Sequence, residues 1–194
     1  MKTTALVPMA LSALLLAACT QGMAATPMAP PMAGPVMVGG QAMLPSKNIV
    51  ANAVNSADHT TLVAAVKAAG LVGTLEGPGP FTVFAPTNEA FAALPKGTVP
   101  TLLQPKNKPM LVKVLTYHVV PGTLTFDALH KMIMEQNGEA TLTTVEGGKL
   151  MVKMNGPHNV EVIDAKGDVA QISTYDVMQS NGVIQVIDKV LLPG

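Results

Sequence analysis

Apolar positions along this chain fall into two textures, helical before Gly138 and strand-like after it. From Asn48 to Ala57, the residues Ile49, Val50, Ala53 and Val54 share one stripe of a short helix. Asp58 or Thr60 then caps a second helix, in which Leu62, Ala65, Val66 and Ala69 recur at helical spacing. Gly70 sits where a left-handed C-terminal residue is wanted. Gly77-Pro78-Gly79-Pro80 breaks the chain, and Phe81-Thr82-Val83-Phe84 reads as a short strand ending at Ala85-Pro86. Thr87 is the expected N-cap of a short helix from Asn88 to Leu94, stopped by Pro95. Further helices are predicted through Met110 to Leu115 and over Thr125 to Met134. Between them Tyr117-His118-Val119-Val120 reads as a strand closed by Pro121-Gly122.

After Gly138 come five β-branched runs: 140–145, 149–154, 159–163, 169–177 and 183–191. Gly147-Gly148, Asn155-Gly156-Pro157, Lys166-Gly167-Asp168 and Asn181-Gly182 separate them, which predicts a meander with hairpin turns. Helices first and strands afterwards indicate an α+β domain. No internal repeat is visible.

The start of the chain has a different character. Met1-Lys2 precedes an apolar run from Ala5 to Leu16, then Leu16-Ala17-Ala18-Cys19. A short cationic start, a brief apolar stretch and small residues before a break read as a secretory leader. The run carries Pro8 and falls short of the roughly 20 apolar residues of a membrane span. Leu-Ala-Ala-Cys looks like a bacterial lipobox, in which Cys19 becomes the lipid-bearing first residue; the blander alternative is an ordinary leader that contains a cysteine. Two acyl chains are what stable anchoring requires. Residues 1–18 are thus expected to be removed, leaving a protein exported to the periplasmic face of an outer membrane or to the cell surface.

From Thr20 to Lys47 the chain is dominated by Ala, Pro, Met and Gly without a sustained period, and 19–47 is expected to be a tether. As a flexible coil it would span on the order of 30 Å. Its methionines, Met23, Met28, Met32, Met37 and Met43, offer soft thioether ligands suited to Cu(I), although their spacing follows no fixed pattern.

Composition narrows the function further. Nearly half the residues are hydrophobic and 12% are charged, with four Phe, two Tyr and no Trp, so the core must be aliphatic. Loss of Lys2 leaves eleven lysines against twelve acids, a net charge of minus one, and the chain has no arginine. With neither arginine nor a basic run, nucleic-acid binding is not expected. An enzyme is not expected either, since there is no Gly-x-Ser-x-Gly elbow and no thiol beyond Cys19. His59, His130 and His158 are scattered, and Asp164 and Asp168 read as solvated hairpin residues. No cofactor or metal is expected.

Three blocks in order then resemble one family. Pro80-Phe81-Thr82-Val83-Phe84-Ala85-Pro86-Thr87-Asn88-Glu89-Ala90-Phe91 resembles the first block of fasciclin domains. Leu115-Thr116-Tyr117-His118-Val119-Val120-Pro121-Gly122 is similar to their central Tyr-His motif, and 181–193 to their closing block. The resemblance covers about Ser46 to Gly194. It implies a single fasciclin-like α+β domain over 48–194, a β-wedge of mostly antiparallel strands packed with several short helices. The closing block often carries His where this chain has Gln185, an amide that still donates and accepts hydrogen bonds.

The resemblance also implies function. Fasciclin domains are mostly adhesion and matrix-binding modules, and in animal members adhesion is linked to the Tyr-His region and to an Asp-Ile motif. Tyr117 and His118 match the first, and Asp176-Val177 falls where the second would lie. The expected partners are the membrane through the anchor and a matrix polymer or surface protein. Two other readings stand beside this. His118 is equally a hydrogen-bonded framework residue, with Tyr117 in the core and its hydroxyl at the edge. The domain could also carry a lipid or another small hydrophobic ligand, in a cavity lined by Met132, Met134, Met151 and Met154.

Overall fold

The computed structural model describes residues 35–194. The expected leader, Cys19 and Met23, Met28 and Met32 lie outside them. The described chain begins with a hairpin, β1 (Val36–Val38) and β2 (Gln41–Met43). Helices follow: α1 (Ile49–Ala53), a 3-10 turn over Ala57–His59, α2 (Thr60–Ala69) and α3 (Val72–Leu75). Then come β3 (Phe81–Pro86), α4 (Asn88–Ala92), α5 (Thr98–Leu102), α6 (Lys108–Tyr117), β4 (Val119–Pro121) and α7 (Phe126–Glu135). A meander closes the chain: β5 (Glu139–Thr143), β6 (Lys149–Met154), β7 (Val160–Ile163), β8 (Val169–Gln179) and β9 (Gly182–Ile187).

Seven strands make one sheet in the order β4-β3-β9-β8-β7-β6-β5. Only β3 and β9 pair in parallel; every other neighbouring pair in it is antiparallel. Its two ends meet, because the Val145 N–H just beyond β5 donates to the Val119 carbonyl of β4 at 2.8 Å. This is the α+β wedge the sequence implies.

Local signals explain most elements. In α2, Leu62, Ala65, Val66 and Ala69 are all buried, and Gly70 ends the helix at φ +77°. The Leu71 N–H reaches back to the Val66 carbonyl at 3.1 Å, a Schellman closure. Thr87 and Thr125 cap α4 and α7 by accepting from the N–H groups of Ala90 and Ala128. Along β5 and β6, Ala140, Leu142, Leu150 and Val152 turn inward and the residues between them outward.

Two expectations are corrected. The segment assigned to the distal tether is part of the folded unit, since Val38 and Met43 are buried in the core beside α1 and α2. Gly39 and Gly40 form the two-residue turn with φ +58° and +72°, as such hairpins require. A Cβ on Gly39 would lie 2.7 Å from Ser56 Oγ, so the turn packs flush on the 3-10 turn. The second correction is that Tyr117 and His118 are not strand residues. Tyr117 ends α6 and His118 caps it, which leaves only Val119–Pro121 for β4. The aromatic and β-branched run favours a strand locally, but burying the Tyr117 ring requires the helix to continue.

Candidate functional site

Tyr117 and His118 sit at the junction of α6 and β4, almost wholly enclosed at 1% and 3% exposure. The Tyr117 hydroxyl donates to the Lys149 carbonyl at 2.7 Å and accepts from the Ala165 N–H at 3.0 Å. It thereby ties the start of β6 to the turn between β7 and β8. A Cβ on Gly148 would lie 2.5 Å from the tyrosine ring, so the ring occupies the space a side chain there would need. His118 uses both nitrogens: Nδ1 lies 2.8 Å from the Val114 carbonyl and Nε2 2.9 Å from the Leu191 N–H. Those partners require the neutral ring with its proton on Nδ1. Burial pushes its pKa down to about 4, against smaller upward pulls from the Val114 carbonyl and Asp164.

Asp164 is not a solvated hairpin residue as expected. It is buried, and its carboxylate accepts from the N–H groups of Lys166, Asp168 and Leu192 at 2.8–3.0 Å. His118 and Asp164 together hold the end of the closing block.

Asp176 and Val177 serve a second junction. Two register shifts interrupt the pairing of β8 with β9, and Asp176 lies within the second, at φ +55°, a left-handed conformation that Asp tolerates better than most residues. Its Oδ1 accepts from the Phe126 N–H at the start of α7, at 2.8 Å, and from Gln185 Nε2 at 3.0 Å. Gln185 is fully buried; it also donates to the Leu124 carbonyl at 2.8 Å and accepts from the Asp176 N–H at 3.1 Å. A primary amide with two N–H bonds beside one carbonyl fits this set, whereas an imidazole offers only two positions. Val177 is buried against β9 in the other half of the core. No hydrogen bond among the described residues joins the Tyr117–His118 pair to the Asp176–Val177 pair; Tyr117, His118 and Val177 are buried and Asp176 is half-buried.

The Fasciclin domain family model matches residues 57–193. The chain belongs to the fasciclin domain family. It is 51% identical to protein sll1483 of Synechocystis over 146 residues, 75% of this chain and 73% of that one. It is 33% identical to the immunogenic protein MPB70 of Mycobacterium bovis, over 90% of this chain and 80% of that one. The transforming growth factor-beta-induced protein ig-h3 of Sus scrofa is 39% identical over 68% of this chain, which spans only 17% of that protein. A FAS1 domain pair from the insect cell adhesion molecule Fasciclin I superposes with a TM-score of 0.68 at 18% identity, covering 75% of this chain and 51% of that one.

The open grooves of this fasciclin domain lie elsewhere on its surface. An open groove of about 450 Å³ runs beside the end of β8, lined by Pro78, Gly79, Pro80, Thr123 and residues 178–182, none of them charged. Another, of about 310 Å³, lies between α4 and α5, where Phe91, Leu94, Pro95 and Pro100 meet Asn88 and Lys96. Interior space is scarce by comparison. The two cavities flanking α1 measure about 40 Å³ and 20 Å³, far below the ~300 Å³ at which small-molecule pockets begin. Met132, Met134, Met151 and Met154 line neither cavity, and Met134 and Met151 are surface residues.

Sequence reasoning missed the residues that hold the first groove in place. Asn181 reads as a turn residue, yet its amide donates to the carbonyls of Leu75 and Gly77 and its oxygen accepts from the Ile49 N–H. Asn52 brackets Leu44 by accepting from its N–H and donating to its carbonyl, and also donates to Gln179. The only signal available was polar residues amid apolar ones, since their partners are up to 132 positions away. Among the described residues no cluster of three or more His, Cys, Asp or Glu could hold a metal ion, and no helix is long and apolar enough to cross a membrane.

Proposed function

We propose that this chain is an exported, lipid-anchored binding module that contacts a matrix polymer or a surface protein and performs no chemistry of its own. The observation that carries the reading is the fasciclin family match over residues 57–193. It is supported by the likeness to a domain pair from an insect cell adhesion molecule and by Leu16-Ala17-Ala18-Cys19 near the start of the sequence.

Acyl chains on Cys19 hold the protein at a membrane, and the residues after it give the domain reach. Recognition falls to the uncharged groove beside the end of β8, whose lining begins at Met178, next in sequence to Val177. Asp176 and Val177 lead along β8 into its lining, while Tyr117 and His118 brace the wedge away from it through Lys149, Ala165, Val114 and Leu191. Thr123 and Ser180 offer hydroxyls to a neutral partner, and Met178 and the prolines offer apolar contact. Single contacts of this kind are weak, and many copies on one membrane raise avidity through effective concentration.

The test is attachment of cells displaying the full chain to matrix-coated surfaces. Ser180→Lys is expected to reduce attachment with the protein still folded and membrane-bound. Cys19→Ser is expected to release the protein into the soluble fraction and abolish attachment. Unchanged attachment by the first variant rejects the groove; unchanged membrane retention by the second rejects the anchor.

A further inference from the structure

The thirteen methionines of this chain are many for its length, and those among the described residues are placed opposite to its isoleucines. All six isoleucines are buried. Of the eight methionines among the described residues only Met43 is buried. Met37, Met110, Met134 and Met151 are 61%, 60%, 65% and 41% exposed, making up four of the seven large hydrophobic side chains on the described surface. Met132, Met154 and Met178 are half-buried. An exposed methionine gains little from the hydrophobic effect. What distinguishes it from leucine there is a nucleophilic, polarizable sulfur.

We infer that the exposed methionines form a sacrificial sink for two-electron, oxygen-donating oxidants, of which hypochlorous acid is the type. In each event the thioether sulfur gains an S=O bond and gives up two electrons, the O–Cl bond breaks, and chloride and a proton leave. Sulfoxide is polar, so its formation disrupts a core but costs an exposed site little, and reductases reverse it. The four exposed sites lie on four separate elements, β1, α6, α7 and β6. That spread suits independent sacrificial sites rather than one chelate. Of the residues that build the fully buried core, Met43 alone carries a vulnerable sulfur. The inference rests on burial and composition and stands apart from the adhesive reading.

The test titrates the full chain with hypochlorous acid beside a methionine-containing bystander peptide. Intact mass and peptide mapping count and locate the oxygens, and a thermal melt follows each step. Within the described residues the first four oxygens are expected on Met37, Met110, Met134 and Met151. The melting midpoint stays unchanged to that point, methionine sulfoxide reductases restore the mass, and Met43 is modified last. A variant with all four replaced by leucine should let the bystander be oxidised four equivalents earlier. Equal protection by the variant, or a melting midpoint that falls with the first oxygens, overturns the inference.

Discussion

The two halves of the core are filled to different standards. Around the meander and α7, Phe84, Leu129, Ile133, Leu150, Val152, Val160 and Ile187 are sealed from solvent, and Tyr117 among them has its hydroxyl paired. His118 has both nitrogens paired, with its ring also lining the larger of two small cavities on the helical side. Between the sheet and α1, α2 and α3 the aliphatic residues are buried less completely, and the two small cavities remain. His59 in this half bonds Ser56 through Nδ1 at 2.8 Å, while its buried Nε2 has no hydrogen-bond partner. The difference teaches where rigidity is built. Long-range polar clamps and tight packing coincide at Tyr117, and the helical side is the looser of the two.

The two histidines give the widest test of that contrast. His118→Ala orphans the Val114 carbonyl and the Leu191 N–H and leaves a cavity, and is expected to cost about 4 kcal/mol of stability. His59→Leu removes an unpaired nitrogen along with one good bond and should stay within about 1 kcal/mol of the parent. Urea unfolding of the two variants measures both, and equal losses would break the comparison.

Acid probes the same site. The folded pKa of His118 is about 4 against 6.5 when unfolded, so the unfolded chain binds more protons between those values. Stability is whole above pH 6.5 and falls by about 3 kcal/mol as pH drops to about 4, with no further loss from this group below that. Burial lowers the pKa of His59 too, which adds in the same direction. Unfolding midpoints measured across this range should slope much less in His118→Gln.

Packing itself gives the smaller effect. Ala170 is fully enclosed in the meander core, and Ala53 lines both cavities beside α1. Ala170→Val is expected to cost about 2 kcal/mol through overpacking, whereas Ala53→Val should gain about 0.5 kcal/mol by filling space. A loss of similar size at both positions would show the two halves to be packed alike.

The meander was legible because strand chemistry is local there. Lys149–Met154 is read as a β-branched run between the Gly147-Gly148 and Asn155-Gly156-Pro157 turns, and its neighbours shift by a residue or two. The left-handed Gly70 and the Thr87 cap were equally local. The hairpin at Val36–Met43 was missed, although Gly39-Gly40 between short apolar runs is a hairpin signal; the surrounding Pro and Ala masked it. The strand reading of Tyr117-His118 failed because tertiary burial overrode local propensity. The family motif singled out Tyr117, His118, Asp176 and Val177, but their role could not be read from sequence. Whether a tyrosine touches a partner or braces a wedge depends on Lys149 and Ala165, which only the fold brings to it.

The central claim is that the Tyr117–His118 motif braces the wedge and does not touch the partner. The direct measurement is Tyr117→Phe, which removes only the hydroxyl, followed by a thermal melt and by matrix attachment well below the melting midpoint. The claim predicts a stability loss of about 1–2 kcal/mol with attachment intact. Attachment lost at unchanged stability would place the tyrosine hydroxyl in the interface and contradict it.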